Sequence, residues 1–176
     1  RSYSKTSIIG VELWGASAMA SSIREGCRMR LIKVDTFADG ISVHSVGEYT
    51  FKKCFEYQKR SAYPIYIESV NKLCDTMVDL YEYEGIITEP AGALSVSCLA
   101  RIPDIEGKDV VCIISGGNQD ITRYPEIIER SLVHQNKLHY FKIMLAQQPG
   151  ELKNFILNIM VLILGFTVCF LIYDFR

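Results

Sequence analysis

The sequence has little that would tie it to a metal, a nucleic acid or a disulfide scaffold. Its three histidines, His44, His134 and His139, lie far apart and adopt no metal-ligand spacing. The six cysteines, Cys27, Cys54, Cys74, Cys98, Cys112 and Cys169, include no CxxC and no close pair. Buried free thiols in a reducing compartment are therefore the plain reading. A formal net charge of -1 leaves no global field to recruit nucleic acid or anionic lipid. The tyrosines are not interleaved with a basic patch, which again speaks against nucleic acid. Neither GxGxxG nor GxxxxGK[ST] occurs, so no self-sufficient phosphate loop is legible. No nucleophile elbow and no Cys-His pair stands out either. The first residues, RSYSKTSIIG, lack both the apolar run of a signal peptide and an initiating methionine. The chain is expected to begin inside a longer one.

What is present suits a globular α/β protein. Apolar residues make up 49% and charged residues 22% of 176, enough for one moderate core, or for one domain plus part of another. Thr6–Glu12 reads as a short buried strand, Ala16–Glu25 as a helix stopped by Gly26, and Arg30–Val34 as a second strand. Gly47 to Lys59 places Phe51, Cys54 and Phe55 on one helical face. Pro64 opens the strand PIYIE. Ser69 should cap a helix with a stripe of Val70, Leu73, Cys74, Met77, Leu80 and Tyr81, ended by Gly85. Pro90 sits where a first helical turn begins, and the small residues of Ala91–Leu99 suit close packing on a sheet. Val110–Ile114 reads as a fully apolar strand of the parallel-sheet kind, with Asp120 and Thr122 as caps for a helix through Ser131. Strands alternating with helices imply a cleft at the strands' C-terminal ends.

The pattern changes after His134. Leu138–Leu145 reads as a strand, Pro149–Gly150 as a turn, and Glu151 as the start of an amphipathic helix, so a new domain is expected near Leu138. The apolar run Ile159–Tyr173 falls short of the roughly 20 residues that span a bilayer. Extended back to Phe155 it must take in Asn158. It reads as a terminal membrane anchor or as a non-native end to the domain.

The strongest chemical signal is VVCIISGGN, Val110 to Asn118, where an apolar run stops at Ser115-Gly116-Gly117. Two glycines after a strand allow backbone to approach a ligand, and the next helix would aim free N–H groups at the same place. The alternative is a tight turn with Ser115 capping that helix. Glu89, just before Pro90, either serves the helix dipole alone or faces a ligand. Asp39-Gly40 is a turn signature. Glu12 closes a strand and could ligate a cation, but hard cations want several oxygens and no second carboxylate is near in sequence.

Taken together, TSIIGVE, TFADGISVHSVGEYTF, CDTMVDLYEYEGIITEPAGALSVSCL, VVCIISGGNQDITR and LHYFKIMLAQQPGELKNFILNI resemble the threonine dehydratases (threonine deaminases), closest to the form with a short regulatory domain. The resemblance covers roughly residues 1–158. It implies a pyridoxal-phosphate (PLP) dependent lyase turning L-threonine into 2-oxobutanoate and ammonia on the way to isoleucine, in the cytoplasm. The implied fold is a partial PLP-binding lobe of the tryptophan synthase β-like kind over residues 1–134. An incomplete ACT-like βα segment over 138–158 and an atypical apolar tail over 159–176 would follow. The resemblance places Ser115 on the pyridine nitrogen, with Gly116 lining the same turn. It puts Glu89 close to the ring and Gly40 near the cofactor's 3′ side. Glu12 matches a glutamate of a divalent-cation site, but the expected partner acid is Ala18 and the usual proline is Leu13, so no metal is expected.

The lysine that carries the cofactor and the glycine-rich phosphate loop match no stretch here, so the chain alone should be inactive. The resemblance further implies an amino-acid substrate, isoleucine or valine as effector, and homo-oligomers in the full-length enzymes. A serine dehydratase or racemase, or a non-catalytic remnant tethered by its tail, are the alternatives. Without its other half, such a lobe should expose an apolar face and dissolve poorly.

Overall fold

A computed structural model describes residues 6–61 and 63–159. Two short strands, β1 (Val11–Leu13) and β2 (Tyr66–Glu68), form a parallel pair in the register Val11↔Tyr66, Glu12↔Ile67, Leu13↔Glu68. A parallel pair needs a long crossover. Helices α1 (Ala18–Glu25) and α2 (Glu48–Gln58) lie within it, and they pack on each other. Beyond β2 come α3 (Val70–Glu84), α4 (Pro90–Ser97), α5 (Tyr124–His134) and α6 (Glu151–Ile159).

The helix ends follow local chemistry. The Ser69 hydroxyl accepts the Lys72 N–H at 3.1 Å, as an N-cap should. Gly26 and Gly85 close α1 and α3 in the left-handed region, at φ 71° and 66°. The α3 stripe supplies Leu73, Cys74, Met77 and Leu80 to the core, which Leu13, Ala16, Phe37, Ala38, Ala93, Leu94 and Ile127 complete. α3 packs chiefly on α5 and then on α4.

Three expected strands do not form. Arg30–Val34 makes one backbone bond to a distant part of the chain, Leu31 N–H to the His44 carbonyl at 2.8 Å, and Ile32 is fully exposed. Val110–Ile114 and Leu138–Leu145 also carry no strand, and Val111, Ile113, Phe141 and Met144 project into solvent. Apolar character creates a need for cover, but a strand also needs a neighbour to complete its ladder. β1 and β2 pair only with one another, and among the described residues no strand extends that pair or pairs with these runs. Val110–Ile114, expected to be buried in a sheet, is thus left largely exposed.

The helix expected after Pro149-Gly150 does form, from Glu151. The apolar tail, residues 159–176, lies outside the described residues apart from the backbone of Ile159. Among the described residues no helix is long and apolar enough to cross a membrane.

Candidate functional site

Four residues singled out in the sequence, Gly40, Glu89, Ser115 and Gly116, meet at the N-terminal end of α4. Glu89 is the N-cap residue of α4, with Pro90 in the first turn, but its carboxylate makes no capping bond. It lies instead against Gly116, so closely that a side chain at 116 would overlap its Cγ, Cδ and Oε1. Gly116 also adopts φ 66°, where a Cβ is strained. A Cβ on Gly92, in the first turn of α4, would overlap the carbonyl oxygen of Ser115. Glycine at 92 and 116 is what lets α4 and the Ser115 turn touch. A Cβ on Gly40 would sit 3.8 Å from Glu89 Oε1 and 3.7 Å from the Ala91 methyl, so the Asp39-Gly40 turn closes the cluster.

The Ser115 hydroxyl has no hydrogen-bond partner among the described residues and caps no helix. The cap that precedes α5 is Asp120, whose carboxylate accepts the Thr122 N–H at 2.9 Å. Contrary to expectation, the helix that meets the turn is α4, which precedes it in the chain, since α5 begins only at Tyr124. Ser115, Gly116 and Gly40 are exposed and Glu89 is half-buried. The result is an open ledge on which the exposed Ser115–Gly116 turn lies against the Glu89 carboxylate. Next to Glu89, the buried Thr88 hydroxyl also lacks a hydrogen-bond partner.

Sequence reasoning missed what holds this ledge. Arg123 Nη2 donates to the Phe37 carbonyl at 2.9 Å, and the guanidiniums of Arg123 and Arg130 lie 4.6 and 5.0 Å from the Phe37 ring centroid. They anchor the loop that leads into Asp39-Gly40. Deeper, the Asp75 carboxylate accepts from Ser131 (3.0 Å), Gln135 (2.8 Å) and Lys72 (2.9 Å), and so ties α3 to α5. Burial works to raise the Asp75 carboxyl, but the hydrogen bonds from Gln135, Lys72 and Ser131 outweigh it and hold the group below its ordinary value. The bonds from Asp75 to Ser131 and Gln135, and from Arg123 to Phe37, join residues far apart in sequence, and no motif announces them.

Glu12 has a different task from the one weighed for it. Its two oxygens accept the N–H groups of Met19 (2.9 Å) and Ala20 (2.7 Å) at the start of α1, where the Ser17 side chain makes no cap. Burial raises the Glu12 carboxyl, and the Ala20 and Met19 bonds only partly oppose it. No group of His, Cys, Asp and Glu able to hold a metal occurs among the described residues.

The family model described as "Pyridoxal-phosphate dependent enzyme" matches residues 1–116. The chain belongs to that family. Pyridoxal phosphate is the family's cofactor, and the two segments that form the ledge, around Glu89 and Ser115–Gly116, both fall within the match. The chain is similar to the L-threonine dehydratase biosynthetic IlvA of Corynebacterium glutamicum, 42% identical over 158 residues that make up 89% of this chain and 35% of that protein. The protein of the same description from Staphylococcus aureus is 44% identical over 163 residues, 91% of this chain and 38% of its own length. Among solved structures, the processed form of threonine deaminase isoform 2 from Solanum lycopersicum matches with a TM-score of 0.67 and 35% identity. That match covers 73% of this chain and 37% of the other. The chain therefore spans little more than a third of the length of these relatives.

Proposed function

We propose that this chain supplies one wall of the cofactor site of a threonine ammonia-lyase, which converts L-threonine to 2-oxobutanoate and ammonia. The observation that carries the reading is the Ser115–Gly116 turn packed on Glu89 at the start of α4, where Ser115 is exposed and its hydroxyl has no partner among the described residues. The donor set fits pyridoxal phosphate. An uncommitted hydroxyl can donate to a ring nitrogen, and the exposed Ser115–Gly116 turn leaves one side open to a flat ring. When bound, the cofactor supplies an electron sink for the elimination. Ser115 orients the ring and, as a neutral donor, leaves its nitrogen unprotonated. Gly116 and Gly40 border the ring, and the Glu89 carboxylate accepts hydrogen bonds at its edge.

The lysine that carries the cofactor and the phosphate-gripping loop are assigned to another part of the assembly, because no lysine here lies in a matching motif. In this reading residues 1–134 belong to a tryptophan synthase β-like lobe. Residues 138–158 open an ACT-like module for isoleucine or valine, and the assembled enzyme is a cytoplasmic homo-oligomer. The helix starting at Glu151 supports the second assignment, and the buried thiols Cys74 and Cys98 suit a reducing compartment.

The test is borohydride reduction of the protein incubated with pyridoxal phosphate, followed by peptide mapping and an assay of 2-oxobutanoate from L-threonine. No lysine of this chain should carry the label, and no keto acid should form from the chain alone. Supplied with the missing portion of a threonine dehydratase, it should turn over threonine, and Ser115→Ala should shift the cofactor absorption band. A labelled lysine within this chain accompanied by turnover would overturn the division of labour.

A further inference from the structure

Cys98 and Cys112 converge on one atom. Cys98, at the C-terminal end of α4, brings Sγ to 3.6 Å from the Ser95 carbonyl oxygen, and Cys112 brings its own Sγ to 3.7 Å from the same oxygen. The Ser95 hydroxyl donates to the Ile113 carbonyl at 2.7 Å, so this turn of α4 also holds the backbone beside Cys112. Cys98 is 1% exposed, whereas Cys112 is half-buried and within reach of solvent. No ladder bond fixes residues 110–114 among the described residues, and the Ser95–Ile113 bond keeps this run beside α4.

We propose that Cys98 and Cys112 form a reversible disulfide, a redox modification site that staples the segment leading to Ser115 onto α4. A hydroperoxide is the oxidant. The Cys112 thiolate attacks one peroxide oxygen, the O–O bond breaks, and a sulfenic acid and one water (or alcohol) result. The Cys98 thiolate then attacks the Cys112 sulfur. The S–S bond forms, the S–O bond breaks, and hydroxide leaves and is protonated to water. Two thiols lose two electrons and the peroxide gains them. A dithiol reductant reverses the step by exchange. Burial holds both thiols above the ordinary thiol value, so the reaction is slow and needs excess peroxide. The staple joins Cys98, at the C-terminal end of α4, to Cys112 in the run that leads to Ser115, and the proposal stands whether or not the ledge binds pyridoxal phosphate.

The experiment treats the purified chain with hydrogen peroxide, alkylates the remaining thiols in denaturant, and maps peptides without reduction. The expected result is a linked Cys98–Cys112 peptide two hydrogens lighter than its parts and abolished by dithiothreitol. It should be absent from Cys98→Ser and from Cys112→Ser, and hydrogen exchange over 110–116 should slow in the oxidised protein. The wild-type map decides even if a variant folds poorly. Oxidation of Cys112 to a sulfinic acid without a link, or equal linkage of Cys112 to Cys27 or Cys54, would overturn the proposal.

Discussion

The Glu89 carboxylate occupies the space that a side chain at Gly116 would fill. One residue begins α4 and the other follows the apolar run 110–114, so the contact fixes the two halves of the ledge against each other. Gly116→Ala meets two penalties, the overlap with Glu89 and the left-handed backbone at φ 66°. The second alone costs about 1–2 kcal/mol. Gly117 has nothing within contact distance and no left-handed backbone, so Gly117→Ala should leave stability unchanged or slightly raised. Urea midpoints of the two variants check this, and equal losses would remove the contact from the account.

Asp75 should make the fold acid-sensitive. Its folded carboxyl lies below the ordinary value because the bonds from Gln135, Lys72 and Ser131 outweigh burial. A lowered carboxyl contributes stability above its unfolded value of about 4 and loses it as pH falls through the folded value. Asp75→Ala should cost about 1–3 kcal/mol at pH 7, since the buried Ser131 hydroxyl loses its acceptor along with Lys72 and Gln135. The gap between wild type and variant should close below about pH 4. Denaturant titrations at a series of pH values read this directly, and a gap independent of pH would refute it.

Glu12 should behave in the opposite sense. Burial raises its folded carboxyl despite the Ala20 and Met19 bonds. The associated stability is fully present below the unfolded value and is lost as pH rises through the folded one. Glu12→Gln stays neutral and keeps one acceptor for the start of α1. Its stability relative to wild type should therefore improve as pH is raised from 4 to 7, the reverse of the Asp75 trend. Glu12→Ala keeps no acceptor and should cost about 0.5–2 kcal/mol, as lost caps do. Parallel profiles for the Glu12→Gln and Asp75→Ala variants would contradict both assignments.

Much of the helix pattern was legible because its signals are local. Ser69, Gly85, Gly26 and Pro90 each act within a turn of their own position, and the α3 stripe repeats at helical spacing. Gly40, Glu89, Ser115 and Gly116 were legible as residues, through turn chemistry and family resemblance, but not as a cluster. Their meeting depends on Gly92 admitting the Ser115 carbonyl, a tertiary fact. Strands at 30–34, 110–114 and 138–145 were misread because an apolar run does not reveal whether a ladder partner exists. The Asp75 network escaped because Ser131 and Gln135 reach it from a helix far along the chain.

Thiol reactivity should separate the cysteines by burial. Cys74 lies in the core between α3 and α5, and burial pushes its thiol up to about 12. The thiolate is the nucleophile, so at pH 8 almost none of the Cys74 population can react. Cys27 is exposed and should be alkylated by iodoacetamide long before Cys74. Cys74 should stay unmodified until the α3–α5 core opens, and its labelling rate should then follow the unfolding equilibrium as urea is added. In Asp75→Ala, where the tie between those helices is cut, Cys74 should label at lower urea while the Cys27 rate stays the same. Mass spectrometry of time points gives both rates from one sample. Cys74 labelling as fast as Cys27 in native buffer would show that the core is not closed around it.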